Sequence, residues 1–409
     1  MGPKKFNAYR FYLYIETASA LLYNLAFTAM SLYEIHVAGL SPLQLVLVGT
    51  ILELTVLLCE VPTGIVADVY SRRLSIIIGF CLIGFGFLLE GLLPVFAAIL
   101  LAQVLWGLGY TFTSGARQAW LSDEIGEENA NRAFLSLNKF SLGGSLAGML
   151  LAILIGSHQL NLPILASGGL FILLAGVLSL TMSEHNIRPA PTDQRNSFQQ
   201  MLHTFRLGLQ TVRGRPRLVA ILGMGLFYGL YSETFDRLWV KHLLGRFTLP
   251  VVFGNNDIAF FGLLRAASML LAILATALIE KRLNTSQPRL IGRFMFGITT
   301  GIAASIILFA WSSFLGVTLG IYLLLSALRS LVEPLTNAWV NQRIDPDVRA
   351  TVLSMTGQVD AVGQIAGGPL LGLVASLISV QTAISLSGLL LIPALPLIRR
   401  ADRKEPPQG

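Results

Sequence analysis

Ionisable side chains sit inside long apolar runs at Glu16, Glu53, Glu60 and Glu90, and again at Glu233, Asp236, Arg237, Arg265, Arg329, Glu333 and Asp360. A charge near the centre of a bilayer costs about 2.5–3.5 kcal/mol on insertion scales, so such groups are retained for a reason. A carboxylate there can hold a proton in one conformation and release it in another, or attract a cationic solute. Glu53 and Glu60 stand two helical turns apart and project from one face of a helix. Four-residue spacing makes Arg329 with Glu333, and Glu233 with Arg237, expected neutralising pairs. Asp360 is either a partner of Arg265 or part of a cavity. Glu90, near the outer end of its run, suits an interfacial or a coupling role. The aromatic side chains of Tyr23, Trp106, Tyr110, Phe227, Tyr228 and Trp239 suit packing or stacking on a flat solute.

Other chemistries find no support. The chain has no His-Glu-x-x-His, no Gly-x-Ser-x-Gly and no nucleotide-binding glycine loop, so an enzyme or an ATP-driven pump is not expected. The histidines are scattered, and Cys59 and Cys81 lack metal-ligand spacing, so no metal site is expected.

The elements that must carry these groups follow from composition. Of 409 residues, 54% are hydrophobic and 12% charged, against roughly 25% charged in soluble domains. Twelve spans are expected, over roughly 11–34, 43–67, 74–93, 95–117, 138–157, 162–182, 217–240, 256–280, 290–311, 314–338, 352–377 and 380–398. This is an all-α polytopic membrane protein, divided into an N-terminal six-helix bundle (1–183), a linker (184–216) and a C-terminal six-helix bundle with a basic tail (217–409). The linker is expected to be cytoplasmic, with an amphipathic helix over 197–206 on the membrane surface. The net charge of +7 sits largely in short loops on one side, so it reports orientation and not nucleic acid. Both termini are expected in the cytoplasm, and the first span is expected to stay as an anchor.

Gly64-x-x-x-Asp68-x-x-Ser71-Arg72-Arg73 resembles the loop between helices 2 and 3 of the major facilitator superfamily, with Tyr70 and Ser71 where an Arg and a Gly are usual. The resemblance implies two parallel six-helix halves that rock about a midplane site. It implies a gating role for Gly64, Asp68, Arg72 and Arg73. Helices one, four, seven and ten would line the cavity, making Glu16, Tyr23, Asn24, Tyr110, Glu233 and Arg329 its candidates. Gln103 stands where the family often has an arginine linked to proton transfer. Gly363-x-x-x-Gly367-Gly368-Pro369 resembles the family's Gly-Pro antiporter element, placed in span eleven and not five.

Within that superfamily, Glu53, Glu60 and Glu90, with Glu60-Val-Pro62-Thr-Gly64 leading into Asp68, resemble the class P tetracycline efflux proteins. That resemblance implies proton and substrate coupling by the three glutamates. The expected function is proton-coupled drug efflux by alternating access, tetracycline-like compounds favoured; the alternative is proton-coupled transport of a metabolite such as a sugar or siderophore. No cofactor is expected beyond the proton gradient. The expected partners are a small-molecule substrate, protons and the lipid bilayer of the plasma membrane, with no nucleic acid and a monomeric chain.

Overall fold

Capping residues, glycines and prolines decide where the helices begin and end. The computed structural model describes residues 7–184, 212, 215–251, 257–282, 288–343 and 346–402, with side chains other than those of 131–138, 280, 282, 288–289, 342–343, 346–351 and 402. Every regular element among these residues is a helix. In the first half they are α1 (Ala8–His36), α2 (Pro42–Val69), α3 (Arg72–Leu92), α4 (Phe96–Ile125), α5 (Glu127–Gly156) and α6 (Leu162–Thr181). In the second half they are α7 (Pro216–Arg246), α8 (Asp257–Arg282), α9 (Pro288–Trp311), α10 (Leu315–Ser330), α11 (Val332–Arg343), α12 (Pro346–Leu377), α13 (Val380–Leu390) and α14 (Ala394–Asp402).

Asn7 and Ser71 accept from the backbone N–H groups of Arg10 and Leu74 and so start α1 and α3. Gly126, at φ +84°, makes the turn between α4 and α5. Two expected spans are each broken in two. Pro334 has no N–H to offer the Ser330 carbonyl, so the tenth span divides at Leu331 into α10 and α11. Pro393 and Pro396 divide the twelfth in the same way, into α13 and α14. Other helices outrun their apolar runs. The fifth begins at Glu127 and not near 138, because acidic residues at 127 and 128 favour a helix N-terminus as well as water. The amphipathic helix expected over 197–206 lies outside the described residues.

Eleven stretches among the described residues are long and apolar enough to cross a membrane. α1 is less apolar, but its 29 residues reach about 43 Å at 1.5 Å per residue. The fold is a polytopic helical membrane protein.

The chain divides into two compact units: Met1–Gly39, Leu54–Met201 and Pro250–Leu263 form one, and Leu40–Glu53, Leu202–Leu249 and Leu264–Gly409 the other. The first half of α2 and most of α8 thus group with the second unit. In the first unit α1 packs on α5 and α6, while α3 packs on α4 and α6. In the second, α7 packs on α12, α13 and α14, while α9 packs on α10, α11, α13 and α14. The two patterns match: first helix on fifth and sixth, third on fourth and sixth. Glycines permit the closest approaches. Gly148 lies against the backbone of Leu21 on α1, and Gly367 lies against that of Leu230 on α7.

Candidate functional site: charged groups within the spans

In the first unit, Glu16 of α1 meets Arg117 of α4 at 2.9 Å. Arg117 also donates to Ser19 Oγ at 3.3 Å. Sequence reasoning missed Arg117, although the cost of a charge in a span applies to it as to the glutamates. Asn24 donates to Ser145 Oγ at 3.0 Å and to the Ala20 carbonyl at 2.9 Å, tying α1 to α5. Tyr23 belongs to an aromatic cluster with Phe27, Phe87 and Phe171. Trp106 packs on Phe27 and Phe87 in the same cluster and is buried, while Tyr110 is exposed.

Glu90 is fully buried on α3, which removes the interfacial reading. Gln103 Nε2 donates to its carboxylate at 3.0 Å, and Trp106 Nε1 donates to Gln103 Oε1 at 2.8 Å. The side chain of Gln103 thus serves both neighbours at once. Tyr33 on α1 donates to the Glu90 backbone carbonyl at 2.7 Å.

The turn between α2 and α3 is held by groups from α4 and from the end of α6. Arg72 forms an ion pair with Asp123, donates to the Ala119 carbonyl at 2.6 Å, and lies 3.8 Å from Asp68. Arg73 donates to the Ser179 carbonyl at 2.5 Å. Glu184 receives Ser71 Oγ at 2.6 Å and the backbone N–H groups of Arg72 and Arg73 at 2.8 and 3.2 Å. A carboxylate on the first N–H groups of a helix is favoured by their orientation and by the helix dipole. Gly64 and the exposed Asp68 lie on the last turns of α2, leading into this turn. No local signal in sequence identifies Glu184, which is over a hundred residues away.

In the second unit, Arg237 Nε donates to Glu233 Oε1 at 3.0 Å, as the spacing predicts. The expected Arg329–Glu333 pair does not form. The break at Leu331 takes Glu333 off the helical register of Arg329, and Asp236 of α7 takes the guanidinium instead. Arg329 Nη1 and Nη2 donate to Asp236 Oδ1 and Oδ2 at 2.5 and 2.7 Å, a bidentate pair. Arg329 also lies over the rings of Tyr231 and Phe235, 5.7 and 5.8 Å from their centroids. Of the two alternatives for Asp360 the cavity is the one found: its side chain lines a cavity in the second unit, and Gln364 Nε2 donates to it at 2.8 Å.

Gly49, one turn before Glu53 on α2, stands against the Glu233 carboxyl and the Arg237 guanidinium, which occupy the space a Cβ would need. Glu53 itself is half-buried and forms no ion pair among the described residues. Glu233, Arg237 and Asp360 lie within its electrostatic range. Glu60, seven residues on, is exposed and groups with the first unit. Within the second unit Glu53 joins the carboxylates of α7 and α12, and within the first Glu90 is enclosed between α3 and α4.

A cavity of about 550 Å³ opens inside the second unit between α7, α10, α11 and α12. Asp236, Arg329, Asp360 and Gln364 line it, with Tyr228, Tyr231 and Glu333. A smaller cavity of about 200 Å³, lined by Trp239 and Tyr322, also reaches the Asp236–Arg329 pair. Trp239 there stacks on Tyr322 at 4.4 Å.

A bundle of membrane-spanning helices with paired charges and a polar-walled cavity within the spans is the architecture of a membrane transporter. The family model described as Major Facilitator Superfamily matches residues 15–368, and the chain belongs to that family. Its relative in Bacillus subtilis (strain 168), the uncharacterized MFS-type transporter YxaM, is 22% identical over 371 residues, 88% of this chain and 90% of that protein. The crystal structure of the nucleoside transporter NupG matches 98% of this chain and 100% of its own at a TM-score of 0.79 and 14% identity. A bacterial homolog of the human lysosomal transporter Spinster matches 99% and 100% at a TM-score of 0.73 and 15% identity. At these identities the likeness is one of fold.

Proposed function

We propose that the chain is a proton-coupled secondary active transporter of a small organic solute, and not an enzyme. It acts as a monomer in the plasma membrane, with both termini in the cytoplasm, and works by alternating access. One observation supports the coupling above others. Glu53 is a carboxylate within a span, without an ion pair among the described residues, beside Glu233, Arg237 and Asp360. The neighbouring carboxylates oppose a further negative charge and Arg237 favours one. A small shift of these groups between conformations would load or unload a proton at Glu53. The proton would move against the solute, which makes the transporter an exporter driven by an inward proton gradient.

The acidic residues of α2 and α3 make a tetracycline-type drug the first substrate to try. The purified full-length protein, reconstituted in proteoliposomes with an acidic lumen, is expected to accumulate tetracycline. A proton–potassium exchanger that collapses the pH difference should abolish the accumulation. Accumulation that ignores the pH difference would overturn the coupling. Gradient-driven movement of other solutes but not of tetracycline would overturn the substrate alone.

A further inference from the structure

The cavity of the second unit has an unbalanced wall. Asp236 and Arg329 cancel each other, and both terminal nitrogens of Arg329 are already engaged. Two further carboxylates, Asp360 and Glu333, line the same cavity, and neither forms an ion pair among the described residues. Asp360 has an amide donor, Gln364, and the one cation acting on it in this cavity is Arg329, whose terminal nitrogens are bonded to Asp236. Glu333 is exposed, but Asp360 is half-buried, and for it a purely structural role would call for a basic partner in contact, since an unpaired charge away from water is costly. Tyr228 spends its hydroxyl on Thr299 at 2.7 Å, which leaves its ring as the part offered to a guest. The volume suits a drug-sized molecule, for which pockets of about 300–1,000 Å³ are usual.

We infer that this cavity holds the transported solute as an organic cation, a protonated amine facing Asp360 with its aromatic or apolar body against Tyr228 and Met224. The inference rests on the transporter reading above and names the substrate class for it. An anion would enter against Asp360 and Glu333 with Arg329 already committed to Asp236. A neutral guest would shut Asp360 away from water without supplying a counter-charge. A cation supplies that charge and gains from the tyrosine face as well.

The test separates charge from shape. Tryptamine, N-acetyltryptamine and indole-3-propionate share one ring system and are cationic, neutral and anionic; the same trio built on naphthalene offers a larger body. Binding to the purified full-length protein is read from ligand-induced thermal stabilisation. The amines are expected to bind at least tenfold more tightly than their acetylated forms, with the acids weakest. Asp360→Asn should erase that preference, and Asp360→Glu should restore much of it, which rules out a folding defect as the cause. Amines that bind no better than their neutral analogues, or a preference that survives Asp360→Asn, would overturn the inference. Proton-driven transport without amine preference would leave the coupling standing and remove this substrate class. Amine preference without any gradient-driven transport would do the reverse.

Discussion

Glu16 and Arg117 hold each other at 2.9 Å with side chains 20% and 16% exposed. The pair lies between the two familiar regimes. Exposed pairs contribute about 0–1 kcal/mol, while removing one partner of a buried pair costs about 3–5 kcal/mol. Arg117→Met is therefore expected to lower stability by about 1–3 kcal/mol, seen as earlier thermal unfolding in detergent. Adding Glu16→Gln should recover part of the loss, because the orphaned charge is removed. Gln103→Leu makes a sharper case. It removes the amide bond to the fully buried Glu90 carboxylate and strands the Trp106 N–H, at about 1–3 kcal/mol for a buried polar group that loses its bond. It should destabilise more than Arg117→Met in the same assay; an equal or smaller loss would show that these bonds matter little. Most of the charges in the spans were legible from sequence, because the surrounding runs are so apolar; Arg117, at the edge of its run, was not singled out. The partners of these charges were not legible. Spacing of four finds a partner on an unbroken helix, as for Glu233 and Arg237, and fails for Arg329, where Pro334 breaks the register and a residue 93 positions away takes the guanidinium. The same limit hid Glu184, whose oxygens cap α3 from the far end of α6.

At the scale of elements, the two halves repeat one packing scheme with little sequence in common. α5 presses on α1 through Gly144 and Gly148, and α12 presses on α7 through Gly363 and Gly367. The elements were visible in the apolar runs, and so were the two Gly-x-x-x-Gly pairs, 144/148 and 363/367; which helix each pair presses on was not, since that is set by packing between distant segments. Adjacent glycines on α5 give a controlled test. A Cβ at Gly143 would meet open space, whereas one at Gly144 would strike the Thr17 backbone and one at Gly148 the Leu21 backbone. Gly143→Ala should be neutral or stabilising by up to about 1 kcal/mol, from helix propensity. Gly144→Ala and Gly148→Ala should each cost about 1–3 kcal/mol through overpacking. Thermal unfolding of the three variants side by side decides it; an equal response at Gly143 and Gly148 would dismiss close packing as the reason for these glycines.

For the whole molecule, a coupled carrier must move its solute and its proton in one cycle, and the two movements are separable by experiment. Exchange of labelled for unlabelled solute at equal concentration on both sides needs only the loaded transporter to change conformation. Accumulation against a gradient also needs the proton-carrying step. Glu53, at the junction where α2 passes from one unit to the other, lies beside Glu233, Arg237 and Asp360. Glu53→Gln keeps the size of the side chain and one acceptor oxygen, sets an NH2 donor in place of the other, and removes the charge and the titration. The variant is therefore expected to exchange solute at a rate within about threefold of the parent, while uptake driven by an acidic lumen falls at least tenfold and no longer varies with the pH difference. Asp360→Asn should do the opposite, weakening binding and so exchange and accumulation together, because its charge is assigned to the solute. Gradient-driven uptake at the parent level in Glu53→Gln would place the proton elsewhere. A loss of both exchange and accumulation there would show that the residue supports the conformational change itself, and not the coupling of that change to proton movement.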